Sequence, residues 1–342
     1  MGLPAHTHEV KGLKSLGVFS LKNLVWLGLI LATFGIVQAL RMAGIITSVT
    51  ESTLALICIN IILAVSLNLV VGFTGQFSLG HAGFMSIGAY VCALIVLQDP
   101  GPLNFSIGLV AGGLVAMAFG VLIGFPTLRL KGDYLAIATL GFGEIIRVVF
   151  LNMDITGGAS GLASIPRLAT WPWLFSLTVL TVVIISNFIR SNRGRSCLAI
   201  REDEIAAESM GINSTKYKIM AFALGAFFAG IAGGLYAAYF YFISPAIFGF
   251  LMSINILVTV VFGGLGSITG SIIGAIILTW LMVALRDYIG LNNIMYALLL
   301  IIIMLFRPQG LMGTVEVTDL IKRMRFPFFK RDRDKEEIER VQ

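Results

Sequence analysis

Long apolar blocks separated by short polar interruptions run along most of the chain. By length and composition they predict helical spans near 24–43, 53–71, 76–97, 104–126, 134–153, 170–189, 218–242, 251–265, 268–286 and 289–306. Blocks near or above the ~20 residues needed to cross ~30 Å of hydrocarbon read as transmembrane helices, which satisfy every backbone donor and acceptor within their own segment. The eighth and ninth blocks are short, abut each other and are broken at VFGGLGSITGS, so one bent span, two half-helices and a re-entrant hairpin all fit. The expected fold class is an all-α polytopic membrane protein with about ten transmembrane helices, eight to ten in all, some of them short or broken.

Composition agrees. Of 342 residues, 57% are hydrophobic and 12% charged, with a mean hydropathy of +0.94, against about 25% charged in an ordinary soluble domain. The basic residues sort by loop. Lys11, Lys14 and Lys22 precede the first block, Arg129 and Lys131 follow the fourth, and Arg190, Arg193, Arg195, Arg201, Lys216 and Lys218 lie between the sixth and seventh. Lys322 through Arg340 follow the last block, whereas QDPGPLN at 98–104 and FISPAIFGF at 242–250 carry no Lys or Arg. Since basic short loops stay cytoplasmic, ten spans put both termini in the cytoplasm. The expected organisation is a cytoplasmic tail over 1–22, a transmembrane domain over 23–313 with a cytoplasmic segment at 190–217, and a charged cytoplasmic tail over 314–342. Val37, Gln38 and Ala39 loosely resemble a signal-peptidase site, but the apolar run is long and further spans follow at once, so it is expected to remain as a span. The net charge of +6 reflects this bias and a basic tail lying near lipid, not a nucleic-acid patch. Cys58 and Cys92 fall in spans and Cys197 in the cytoplasmic segment, a distribution that implies no disulfide framework.

The third block is unusual. Its stretch GQFSLGHAGFMSIGAY holds Gly75, Gly80, Gly83 and Gly88 together with Gln76, Ser78, His81 and Ser86, and a second glycine cluster holds Gly263, Gly264, Gly266, Gly270 and Gly274. Glycines inside spans let backbones approach closely, or let a helix break where it lines a polar pathway. Both readings stand for Gly80, Gly83, Gly264, Gly266 and Gly270, and the polar company of the first set favours the pathway there. His81 taken alone reads more readily as a satisfied core residue than as a ligand contact. Glu144 and Arg147, three residues apart in the fifth block, share one helix face. They fit a local ion pair or a functional charge in the membrane.

The sequence carries no phosphate-binding loop of the G-x-x-x-x-G-K-[ST] type, no H-E-x-x-H, no serine nucleophile elbow and no cluster of metal ligands. It is not expected to hydrolyse ATP, to hold a metal or to be an enzyme. A secondary transporter needs an ion-coupling site, for which Glu144 is the only acid within the predicted spans.

Between the sixth and seventh blocks, RSNRGRSCLAIREDEIAAESMGINSTKYKIMAF contains a short helix signal. Asp203 suits the N-cap, the first turn is acidic, Ile205, Ala206, Ala207 and Met210 supply an apolar side, and Gly211 ends the helix. Such a helix lies on lipid or docks in a partner's groove. Its acidic start suits anionic lipid poorly, so the partner is favoured, with Ala207 expected to face the groove.

The segments GQFSLGHAGFMSIGAY, LRLKGDYLAIATLGFGEIIRVVF, NMDITGGASGL, RGRSCLAIREDEIAAESMGIN and VFGGLGSITGSIIGA occur in this order. Together they resemble the permease family of bacterial branched-chain amino acid ABC importers, most closely its LivM-type subunit, over residues 50–315. The resemblance implies transport of branched-chain amino acids across the inner membrane, with urea, short amides and other neutral amino acids as alternative cargo. It further implies a second related permease, two cytoplasmic ATPase subunits that use the ATP, and a periplasmic binding protein, with no cofactor bound by this chain. The importer coupling pattern E-A-A-x-x-x-G falls on Ile205, Ala206, Ala207 and Gly211, with Ile205 where Glu is usual. By that resemblance residues 203–211 dock on an ATPase and the third span borders the substrate pathway.

Overall fold

The computed structural model describes residues 21–44, 46–128, 130, 132–285, 298, 301, 305 and 310–313. The N-terminal tail, Arg129, Lys131, most of the predicted tenth span and the C-terminal tail lie outside the described residues. The chain divides into two units, residues 1–48 and 49–342. The first contains helix α1 (Leu21–Met42), a 22-residue apolar helix with Arg41 in its last turn.

In the second unit, α2 (Ser48–Val71), α3 (His81–Gln98), α4 (Pro102–Thr127), α5 (Asp133–Asn152), α6 (Trp171–Arg190) and α9 (Ser214–Phe240) are long and apolar enough to cross a membrane. Two short helices, α7 (Asn192–Glu202) and α8 (Glu204–Ser209), lie between α6 and α9, and α10 (Phe250–Gly263) and α11 (Ile268–Ala284) follow. Among the described residues the only extended pairing is the bridge between Leu162 and Ile243. The protein is thus an all-α polytopic membrane protein.

The packed centre is formed by α3, α4 and α9, and small residues make it possible. Gly88 of α3 lies against the backbone of Gly230 in α9, and a Cβ on Gly112 of α4 would stand 2.8 Å from the Gly88 carbonyl. Gly233 in α9 abuts the Met85 carbonyl, and a Cβ on Gly234 would come within 2.8 Å of Leu109. Without a hydrophobic force between helices in lipid, close backbone approach of this kind supplies much of the association energy. α5 and α6 lie further out, with 22% of each span buried within the chain.

The third span differs from expectation. The helix begins at His81 instead of residue 76, and 72–80 is irregular chain that turns back beside the end of α2. The backbone groups it releases are met in several ways. Gln76 N–H donates to the Val70 carbonyl at 3.1 Å, Leu79 N–H to Thr139 Oγ1 of α5 at 3.0 Å, and Ala82 N–H to Ser253 Oγ of α10 at 3.2 Å. Non-helical chain among transmembrane helices is tolerated only with such partners.

The eighth and ninth blocks form two separate helices. Gly263 packs on Gly270, and a Cβ on Gly274 would come 2.8 Å from the Thr259 carbonyl, so α10 and α11 run antiparallel. On the other side of α11, Asn68 and Asn60 of α2 reach Ser271 and Thr279, respectively. The turn between α10 and α11 is therefore level with the end of α2. The chain leading into α10 pairs with the connection before α6, through Leu162 to Ile243 and Ile165 N–H to the Tyr241 carbonyl at 3.1 Å. That connection is held to the start of α2 by Arg167, 3.2 Å from Glu51 and stacked 4.7 Å from the Tyr239 ring centroid.

Candidate functional site: a clamped surface helix and an interrupted span

The segment between α6 and α9 is two helices, not one. Ser191 caps α7 by accepting from Gly194 N–H at 3.3 Å. Asp203 then ends α7 and caps α8, its Oδ1 accepting from Ile205 N–H at 2.9 Å and Ala206 N–H at 3.0 Å. Gly211 terminates α8 with a left-handed φ of +84°, a conformation that costs glycine nothing. Asp203 and Gly211 thus stand where the sequence puts them.

α8 is clamped from beneath. Lys218 Nζ meets Glu204 Oε1 at 2.6 Å, and Ser214 Oγ makes a short hydrogen bond to the Glu208 carboxylate, both from the first turns of α9. Asn213 caps α9 by accepting from Lys216 N–H at 3.0 Å, which starts that helix four residues before its predicted span. The clamp corrects one expectation. Ala207 is buried within the chain itself at 5% exposure, because the side of α8 that carries it faces α9. Ile205 and Met210 are instead 72% and 84% exposed, with Ala206 beside them. A six-residue helix held by one ion pair and one hydroxyl presents these apolar side chains to whatever lies outside.

Around the interruption, His81 Nε2 lies 2.9 Å from Ser66 Oγ, and Ser86 Oγ donates to the Gly83 carbonyl at 2.7 Å. These two are satisfied inside the core. Gln76 Oε1 and Nε2 and Ser78 Oγ are buried and make no hydrogen bond to a described residue, which leaves them free to bind water or another polar group. Glu144 and Arg147 pair at 2.7 Å on α5, with side chains about a third exposed. The glycines divide by role. A Cβ on Gly83 would stand 3.0 Å from Gly143, Gly80 abuts the Thr139 carbonyl, and Gly270 abuts Gly263, all close contacts between elements. Gly264 and Gly266 sit in the turn between α10 and α11, with φ of +121° and +83°.

Sequence reading missed the polar tie at the end of α2. Asn68 is wholly buried; its Nδ2 donates to the Ser267 carbonyl at 2.9 Å and Ser271 Oγ at 2.7 Å, and its Oδ1 accepts from Gly266 N–H at 2.9 Å. Asn60, two helical turns earlier, donates to Thr279 Oγ1 at 2.8 Å. The signal was present: two asparagines eight residues apart in an apolar helix share a face.

A family model described as "Branched-chain amino acid transport system / permease component" matches residues 49–307. The chain belongs to that permease family. The permease is 40% identical over 289 residues to the high-affinity branched-chain amino acid transport system permease protein LivM of Salmonella typhimurium, covering 74% of this chain and 68% of the relative. Against the protein of the same name from Escherichia coli K12 the identity is 40% over 298 residues, covering 77% and 70%. The corresponding LivH of E. coli K12 is 28% identical over 289 residues, covering 75% of this permease and 92% of the relative. No solved structure matches the permease significantly.

Proposed function

We propose that the permease is one membrane subunit of an ATP-driven importer for branched-chain, neutral apolar amino acids, and that ATPase subunits in the cytoplasm dock on α8. The observation that carries this reading is the exposed Ile205–Met210 stripe on a helix clamped to α9, with α9 itself embedded in the α3–α4–α9 centre. A push on α8 is thereby delivered to the transmembrane core through one rigid element. The basic residues of 190–218 support a cytoplasmic location for this side, and with it the cytoplasmic placement of both termini in the inner membrane. A LivM and a LivH relative, matched by one chain, support pairing with a second, related permease. A periplasmic binding protein would deliver the cargo, and the chain itself binds no cofactor. Gln76 and Ser78, buried without partners in the interrupted span, are the side chains we assign to the pathway.

The test is Ile205→Asp with Met210→Asp. Burying these side chains is worth about 3–6 kcal/mol together, so their loss should weaken docking at least about a hundredfold. The variant should reach the membrane at normal levels, purify without ATPase subunits and fail to accumulate labelled leucine. Normal uptake with the ATPases retained would overturn the assignment of α8.

A further inference from the structure

Arg201, at the end of α7 and two residues before the α8 cap, leaves the surface and enters a cage of glycines. Its Nη1 donates to the Gly72 carbonyl, the group that ends α2, at 2.6 Å. A Cβ added to Gly75 would touch the arginine chain, 3.4 Å from Cγ and 3.7 Å from Cβ. A Cβ on Gly266 would stand only 2.6 Å from Nη1, and the same glycine has φ of +83°. The left-handed backbone favours glycine there, and a larger residue would also displace the guanidinium. Gly266 N–H is in turn held by Asn68. Among the described residues its charged contact is Glu202, whose Oε1 lies 4.0 Å from Arg201 Nε, on the exposed side.

One guanidinium therefore joins three things that are remote in sequence: the α7–α8 platform, the irregular 72–80 stretch that carries Gln76 and Ser78, and the turn between α10 and α11. A cation at the carboxyl end of α2 also suits the helix dipole and satisfies a carbonyl the helix leaves unpaired. The α8–α9 clamp reaches the packed centre, whereas Arg201 reaches the irregular 72–80 stretch and the turn between α10 and α11. Those are the places where backbone can rearrange without breaking a helix.

We propose that Arg201 is a positioning residue that carries displacement of the platform to the 72–80 stretch and to the α10–α11 turn, so that movement of the 72–80 stretch is tied to the ATPase cycle. The proposal rests on the ATP-driven reading above. Its planar, always-charged head and multiple donors make lysine a poor substitute.

The experiment uses the complex purified through this chain and reconstituted in proteoliposomes, with phosphate release and labelled leucine uptake measured in the same vesicles. In Arg201→Met the ATPases should remain bound and hydrolysis should continue, while leucine moved per ATP falls about tenfold, within the range of ordinary coupling free energies. A purely structural role would lower yield, hydrolysis and uptake together. The second arm places Gly75→Cys with Arg201→Cys in a Cys197→Ala background. A Cβ separation of 3.7 Å suits a disulfide, so the reduced complex should be uncoupled and the oxidised one recoupled. This arm decides the matter if Arg201→Met fails to assemble. Unchanged leucine per ATP in Arg201→Met, or oxidation that restores nothing, overturns the proposal while the function stands. A wild-type complex without ATP-driven uptake would remove the functional reading and this proposal together.

Discussion

Asn68→Leu removes the tie between α2 and the α10–α11 turn while keeping the same side-chain branching, and its cost can be worked from the contacts. Three hydrogen bonds are lost. Ser271 Oγ also donates to the Ser267 carbonyl at 3.1 Å, so both of these groups keep a partner. Gly266 N–H loses its Asn68 acceptor. Gly266 is half-buried, so the cost of about 1–3 kcal/mol for an unsatisfied buried donor is an upper bound here, and interhelical hydrogen bonds in a bilayer average about 0.6 kcal/mol each. The expected destabilisation is about 2–4 kcal/mol. Asn60→Leu loses one bond, that to Thr279 Oγ1, and should cost about 1 kcal/mol or less. The assay is unfolding of the purified permease in mixed micelles by increasing denaturing detergent, followed by tryptophan fluorescence, with both variants, Ser271→Ala and the Asn68→Leu/Ser271→Ala double mutant. A cycle with these mutations should show positive coupling, since the two side chains touch. If Asn68→Leu is as stable as the wild type, or no worse than Asn60→Leu, the end of α2 is not held by this network.

Gly83→Leu and Gly270→Leu should each impair assembly or uptake, because a side chain at either position runs into the backbone of Gly143 or Gly263; two fully active variants would show those contacts to be loose. Cys197 is buried in α7 and burial pushes its thiol up to about 11. At pH 8 the folded permease should therefore react with a maleimide at this site far more slowly than the unfolded chain, and faster as pH rises toward that value, since the thiolate is the nucleophile. Rapid labelling of the native protein at pH 8, read by mass spectrometry, would contradict the packing of α7.

Hydropathy made most of the fold legible, because in a membrane the length and apolarity of a segment decide its state almost alone. It failed where that signal is silent. Residues 76–80 carry no proline or charge that would mark a break in the block, so the late beginning of α3 depends on acceptors such as Thr139 and Ser253, distant in sequence, that receive its released N–H groups. α7 is polar and basic, with no apolar stripe to betray a helix. The ends of the short helix α8 were readable from Asp203 and Gly211, but not its orientation. Which side of α8 faces inward is set by Lys218 and Ser214 of the next helix, and that turned Ala207 inward. Arg201 looked like one more topological marker among the basic residues, since nothing local announces that a surface arginine will be received by glycines 129 residues upstream and again past α10.

The glycine seam at the centre has a consequence for how this sequence can drift. At most core positions a larger side chain can be offset by trimming the neighbour it strikes. At Gly88, Gly112 and Gly230 the neighbour struck includes main chain, and largely that of another glycine. There is nothing to trim, so no second substitution nearby relieves the first, and the only remedy is to move a whole helix. Such a displacement would shift every other contact along α3, α4 and α9 at once. Single replacements at these three positions are therefore dead ends, whereas the outward surfaces of α5 and α6 can change one residue at a time.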